Sequence, residues 1–560
     1  MLKTCLIDGY IDEPTCLGVP PYISPYPRFI TGAILKNNPE NIVDYFTIEQ
    51  IRNNPDILKK FESYDIVIAI AGVSVPGRYL SGYPASPNEI EKIFKFLKNP
   101  KKILTGPAAK YGFSTGGGHR TKQIEDVFDY ILTGDPEVFI FNFLDDKIDT
   151  DVKRKNSHEI SDFAKIGASI VKKHPYFPDY IIAEIETYRG CPRSIVGGCS
   201  FCSEPLKGPP DFRSIEDITD EIKNLYDHGI RSFRLGNQPC FFSYMAKNAG
   251  KKEFPRPNPE AIEELLKKIR KVAPELKTLH IDNANPGIIA RYPSESKTIA
   301  ETIIKYHTSG NVAAFGVESV DPKVIKKNNL KASEKEVIRA IELLNEVGSK
   351  RGKNGMPELL PGLNFVFGLI GETKKTFDLN YRFLEKIVEK NLLVRRINLR
   401  QIIPIPGSRM EKIGNKLIYK HKSLFKRFKR NVKLNIERNL LERMLPKKTI
   451  LRDVYTEKHD GKLTFARQIG SYPLLVGIPG VYDLGYFLDV KIVDYGYRSV
   501  TAIPYPLDIN KAPRETLTAI PGVGKKRAVK IMLNRPFANE NEFLKIFEDI
   551  DFKKKVVKYL

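Results

Sequence analysis

The sequence predicts an α/β protein of several modules: an N-terminal doubly wound parallel sheet, a partial (β/α)6 barrel, a small β-barrel and a helical C-terminus. Three observations carry this. A chain of 560 residues exceeds what one ordinary core organises. Two separate series of apolar strand-like runs alternate with helical patterns, as parallel sheets with crossover helices require. Beyond residue 450 the pattern changes to short period-two runs broken by glycine, which suits antiparallel strands.

Residues 1–150 supply the first series with CLIDGY, DIVIAIAG at 65–72, KKILTGPAA and FDYILTGD at 128–135. Gly- and Pro-rich turns follow these strands at their carboxyl ends, where open α/β sheets build ligand crevices. Residues 180–410 supply the second series, with IIAEIETYRG, FRLGN at 233–237, LKTLHID at 276–282, VAAFGVES at 312–319, LNFVFGLIGE at 363–372 and RRINLRQIIPIPGS at 395–408. PEAIEELLKKIRKVA and EKEVIRAIELLNEV, apolar at i, i+3 and i+4, are helices between them. Six strands so connected imply a partial barrel with its chemistry at the strand carboxyl ends.

Residues 411–448 carry 13 Lys or Arg against three Glu with apolar residues at helical spacing, and predict a basic helical linker. Residues 449–506, with KLTFARQIGSYPLLVGIPG and FLDVKIVDYGYRSVTAI, predict the small barrel. Residues 507–560 read as helices around the turn Pro521-Gly522-Val523-Gly524, with Asn510 as a helix cap.

Hydrophobic content of 41% and charged content of 28% are those of a soluble globular protein. No run nears the roughly 20 apolar residues of a membrane span, and the N-terminus reads as the start of a folded domain rather than a signal peptide, so a cytoplasmic protein without a membrane partner is expected. Lys plus Arg number 90 against 67 acids, a net +23 that favours a polyanionic partner such as nucleic acid.

Three of the six cysteines, Cys191, Cys199 and Cys202, fall within twelve positions after the first barrel strand. Three thiolates on one loop hold three irons of a cubane and leave the fourth iron open, unlike four-cysteine electron-transfer sites. Gly190, Gly197 and Gly198 let such a loop wrap closely. The alternative is a structural zinc with Cys240 or a histidine as fourth ligand.

TYRGCPRSIVGGCSFCSEP, LGNQP at 235–239, GVESV at 316–320, NFVFGLIGET at 364–373 and PIPGS at 404–408 follow one another in the order of the radical SAM superfamily's motifs. Over about residues 180–410 the chain resembles that family, although its first two cysteines are separated by seven residues instead of the usual three. The resemblance implies a [4Fe–4S] cluster on Cys191, Cys199 and Cys202, with Phe201 the aromatic between the last two. It implies S-adenosylmethionine (SAM) beside Asn237 and Gln238, Glu318, and the turn from Gly368 to Gly371, and a reducing electron donor. It leaves the catalytic residues open.

Residues 1–150 resemble the cobalamin-binding-like domain of a radical SAM subgroup but lack its Asp-x-His-x-x-Gly string, so cobalamin is not expected. His119, the only histidine there, reads as part of a surface loop. Cys5 and Cys16 read as small buried hydrophobes, since the tRNA methylthiotransferases carry three further cysteines before the barrel. Residues 449–506 look like a TRAM-type or OB-like barrel with Arg467, Lys491 and Arg498 offered to phosphates. The tail resembles a helix-hairpin-helix, with Gly522, Gly524, Lys525, Lys526 and Arg527 facing nucleic acid. The expected function is therefore a radical SAM enzyme modifying RNA, tRNA above all. One alternative is a radical enzyme for a protein or small molecule whose C-terminal modules bind a partner protein, which would stay active on a free substrate without residues 411–560. The other is a nucleic-acid-binding protein with a structural metal.

Overall fold

Residues 1–12, 17–73, 79–114, 124 and 126–559 are described by the structure, a computed structural model. The first sheet orders its strands Ile42–Thr47, Lys3–Asp8, Ile66–Ile70, Lys101–Thr105 and Tyr130–Ile131, all parallel. In chain order this is 2-1-3-4-5, a doubly wound arrangement. The strand IVIAI at 66–70 is buried at every position, which explains a sequence without polar alternation.

The second parallel array forms an arc of six segments: Ile182–Glu186, Ser232–Gly236, Thr278–Ala284 broken at Asp282, Asn311–Glu318, Leu359–Phe367 and Arg396–Gln401. The sequence did not show that Tyr22–Ile23, from the N-terminal stretch, adds a further short strand beside Ile182 and Ala183. One hydrophobic core runs from Leu6 and Ile68 through Ile185 and Phe233 to Phe365 and Leu440, so the two sheets are packed together. Arg28, on the helix Pro25–Asn37, is buried at this junction and donates to the Glu184 carbonyl and to the Glu221 carboxylate at 2.8 Å.

The basic segment forms helical turns over Lys422–Asn431 and Arg438–Met444, joined by a π-helical stretch at Val432–Glu437. Phe428, Val432, Ile436 and Leu440 bury one face of it against the parallel barrel. Five strands then close a barrel in the order Ile450–Asp460, Leu463–Gln468, Leu475–Pro479, Ser499–Pro504, Phe487–Tyr495. All of its pairs are antiparallel except Leu475–Gly477 with Ser499–Thr501.

Two expectations for this region are corrected. Arg467 is buried in a bidentate pair with Glu457 at 2.6 Å, Lys491 is buried with its ammonium over the Tyr505 ring, and Arg498 is bound to Glu437. Arg467 and Lys491 are buried among the protein's own groups, while Arg498 is half exposed and paired. Asn510 does not cap a helix: its side chain exchanges hydrogen bonds at 2.9 Å with the backbone of Phe537, and Pro513 precedes the helix Arg514–Ala519.

The four terminal helices, Arg514–Ala519, Gly524–Leu533, Glu540–Lys545 and Ile550–Val556, enclose a small core with Phe543 and Phe552. Gly522 has φ +94° and Gly524 φ +56°, values that favour glycine in the hairpin turn. Among the described residues no helix is long and apolar enough to cross a membrane.

Candidate functional site

The first barrel strand, Ile182–Glu186, leads into the two-residue ribbon Tyr188–Arg189 with Asp211–Phe212, and the cysteine loop lies between the ribbon's strands. Gly190 has φ +83°, and a Cβ there would lie 2.3 Å from the Pro209 carbonyl oxygen; only glycine lets the loop close with Cys191 N–H on Gly208 O. Cys191, Cys199 and Cys202 line one cavity with Arg193, Cys240 and Lys331. Arg193 Nη1 lies 3.1 Å from Cys199 Sγ. Cys240 Sγ accepts the Asn285 N–H at 3.2 Å.

Burial pushes the Cys191 thiol up to about 12 and raises Cys202 as well. Such thiols keep their protons until a metal displaces them. Among the described residues no three Cys, His, Asp or Glu side chains converge tightly enough for a single metal ion. A cubane spans more space than one ion, and three thiols around a common cavity faced by two cations fit an anionic iron–sulfur cluster.

Asn328 and Asn329 tie this loop to the rest of the site. Asn328 accepts Ser200 Oγ–H at 2.7 Å and the Ile370 N–H at 3.1 Å, and donates to Ile370 O. Asn329 donates to Val196 O and Gly198 O. Phe201 packs in a cluster with Leu369 and Ile402, which brings it to the turn from Gly368 to Gly371. Gly368 has φ +94° and its N–H is held by Glu372 Oε2 at 2.7 Å; Gly371 has φ +87°.

Asn237 has φ +52° and donates to Glu186 Oε2 at 2.7 Å. Gln238 is buried, donating to Leu235 O while its Oε1 has no partner. Glu318, at φ +62°, is buried with Lys331 Nζ at 3.8 Å. Burial raises its carboxyl to about 7 despite Lys331 and Arg400. Gly316 makes room for this pair, since a Cβ there would stand 2.3 Å from Lys331 Nζ and 2.4 Å from Glu318 Oε1.

Sequence reasoning missed Lys331, Glu186 and the buried set Glu184, Arg234 and Asp282. Arg234 pairs with Glu184 at 2.7 Å and with Asp282 inside the arc. The signal was present: Glu184, Glu186, Arg234 and Asp282 are charges within apolar strand runs, and buried charges occur paired. In the hairpin, Lys525 and Lys526 are exposed, whereas Arg527 donates to Gly522 O and Asp549 and covers Phe552 at 4.2 Å. Cys5 is buried; Cys16 and His119 lie outside the described residues.

A partial parallel barrel with a three-cysteine loop after its first strand defines the class of protein, and residues 185–384 match the Radical SAM superfamily. An uncharacterized protein of Methanocaldococcus jannaschii is 49% identical over 515 residues, 89% of this chain and 92% of that one. The ribosomal protein uS12 methylthiotransferase RimO of Dechloromonas aromatica is 24% identical over 338 residues, 58% of this chain and 68% of that one. The structure of the radical SAM methyltransferase TsrM from Kitasatospora setae, with cobalamin and a [4Fe–4S] cluster bound, covers 73% of this chain and 76% of its own at 13% identity, with a TM-score of 0.45. The chain belongs to the radical SAM superfamily, which implies an enzyme that uses an iron–sulfur cluster and SAM.

Proposed function

We propose that Cys191, Cys199 and Cys202 hold a [4Fe–4S] cluster with one open iron, and that the enzyme modifies RNA, with tRNA as the substrate. The observation that carries the cluster assignment is the cavity shared by the three thiols and faced by Arg193 and Lys331. When bound, the cluster supplies the electron that cleaves SAM reductively and so yields a radical able to take hydrogen from an inert carbon. The chain's own residues bind and orient. Lys331 and Glu318 offer SAM a charged pair, Asn237 and the unpartnered Gln238 Oε1 offer hydrogen bonds, and the backbone from Gly368 to Gly371 offers an edge to adenine. The reading includes no cobalamin, because no Asp-x-His-x-x-Gly string occurs in residues 1–150.

The net charge of +23 and the exposed Lys525 and Lys526 at the hairpin favour RNA. A second reading, a ribosomal protein as substrate, is favoured by the similarity to RimO, whose name gives uS12 as its target. Anaerobic reconstitution with iron and sulfide, followed by reduction with SAM, tests the chemistry. A [4Fe–4S] spectrum perturbed by SAM, with 5′-deoxyadenosine formed and both lost in Cys199→Ala, supports it; tightly bound zinc without SAM cleavage overturns it. Mass analysis of tRNA and of ribosomal proteins after incubation separates the two substrates.

A further inference from the structure

A cavity of about 790 Å³ opens between the last barrel strand, the segments around Asp12 and Tyr79, and the C-terminal β-barrel. That volume suits a nucleotide-sized ligand. Its wall is cationic because RRINLRQ at 395–401 puts Arg396 and Arg400 on one face of an extended strand, with Arg395 beside them. Lys458, on the C-terminal barrel, is an exposed cation of the same lining, with the exposed Asp460 two positions further along the strand.

Two of these cations, Arg395 and Arg396, pair with no carboxylate among the described residues. Among the described residues Arg396 has no carboxylate partner; its guanidinium lies 4.1 Å from the centre of the Tyr472 ring. Arg395 donates to Tyr472 O at 2.8 Å, but its Nε is buried without a partner. The carboxylate paired with Arg400 is Asp12, at 3.8 Å and already bonded to Tyr79. Glu437, also in the lining, is taken by Arg498 at 2.6 Å. Burial and mutual repulsion hold Arg395 down to about 10 and lower Arg396. Arg400 is raised instead, against its burial, by Asp12 first and by neighbouring phenols and Glu318, whereas Arg395 and Arg396, side by side without a carboxylate, favour an anion.

Two further features narrow the ligand. Tyr497 lines the cavity with 41% of its surface exposed; Lys433 Nζ covers one side of its ring at 4.7 Å, and the other side is left for stacking. Arg400 is also one of the two cations acting on Glu318, so this wall backs onto the residues assigned to SAM.

We propose that this cavity receives a nucleotide of the RNA substrate, with its phosphate on Arg396 and Arg400, a flanking phosphate on Lys458 and its base against Tyr497. The assignment rests on the RNA reading above. Fluorescence anisotropy with bulk tRNA between 50 and 200 mM salt tests it on the full chain, comparing wild type with Arg396→Gln/Arg400→Gln and with Lys458→Gln. The double variant is expected to bind about tenfold more weakly, with the slope of log K against log salt reduced by about 1 to 2, and Lys458→Gln to lose about 0.7 to 0.9 of slope. Should the double variant unfold, Lys458→Gln decides alone, since its side chain is exposed. Wild-type binding that survives unchanged in the folded variants overturns the pocket and leaves the RNA reading standing. A wild-type chain that binds no tRNA overturns both.

Discussion

Tyr472 donates its phenol to Asp282 at 2.7 Å, and with that bond the C-terminal β-barrel reaches into the interior of the parallel barrel. The same ring lies against Arg396 and receives Arg234 Nη2, while Tyr22 donates to Gly470 O at 2.7 Å. The C-terminal barrel therefore completes a buried polar network with the parallel barrel. Ending the chain at residue 448 takes the Tyr472 hydroxyl from Asp282, which is left with Arg234, and the Tyr472 carbonyl from Arg395, and such a chain is expected to unfold at much lower urea than wild type. Tyr472→Phe removes the bond to the Asp282 carboxylate and the acceptor for Arg234 Nη2, and is expected to cost about 1–3 kcal/mol. A truncated chain with the wild-type urea midpoint would contradict the coupling.

Acid should loosen the same junction. His280 accepts the Ser471 N–H at Nδ1, 2.8 Å away, and its Nε2 faces Thr308 O at 3.1 Å, so it is neutral with the proton on Nε2. Burial lowers its value to about 4. The unfolded chain binds this proton near pH 6.5 and the folded chain only near pH 4. The contribution is thus complete above about pH 6.5 and is lost as pH falls towards 4, about 3 kcal/mol in all. Glu184 and Glu318, raised to about 7 by burial, act in the opposite sense. The comparison that isolates His280 is wild type against His280→Asn, which keeps an acceptor for Ser471; urea unfolding from pH 7 to 4.5 should show a smaller loss in the variant.

The strands and the cysteine loop were legible because their signals are local. IVIAI and NVAAFGVE announce buried parallel strands, and three cysteines on one short glycine-rich loop announce a cluster before any fold is known. What the sequence hid is long-range. Tyr22 and Tyr472 are 450 positions apart and meet through Tyr472 N–H and Tyr22 Oη at 3.2 Å. Lys331 lies outside every motif and meets Glu318 from a different segment, over the bare Gly316. Arg467 read as a surface cation because its partner Glu457, ten residues away, meets it across an antiparallel pair whose register one sequence does not fix.

Asn328 joins the cysteine loop to the Gly368–Gly371 turn with one side chain, and is buried. Asn328→Ala deletes bonds to Ser200, Ile370 and Val324 and leaves buried groups unpaired. A loss of about 2–4 kcal/mol in stability is expected. Because the two segments lose their common tether, SAM affinity of the reconstituted protein should fall further than iron content. Isothermal titration with SAM and an iron assay on the same preparation give both numbers; equal losses in the two would mean that Asn328 serves only to hold the fold.

Gly190 and Gly197 flank the same loop and both have positive φ, +83° and +74°, yet their surroundings differ. A Cβ at Gly197 meets nothing within 4 Å, whereas one at Gly190 stands 2.3 Å from Pro209 O. Gly197→Ala should therefore carry only the conformational cost of a left-handed alanine, about 1 kcal/mol, and retain iron. Gly190→Ala adds a clash with backbone that cannot be relieved by turning a side chain. The ribbon Tyr188–Arg189 with Asp211–Phe212 must open, and the Cys191 N–H loses Gly208 O. Thermal unfolding of the iron-free proteins should separate the variants by several degrees, and anaerobic reconstitution should load iron into Gly197→Ala but much less into Gly190→Ala. Equal iron in the two variants would show that the cluster loop does not depend on the closure at Gly190, and would remove the geometric basis for placing Cys191 among the ligands.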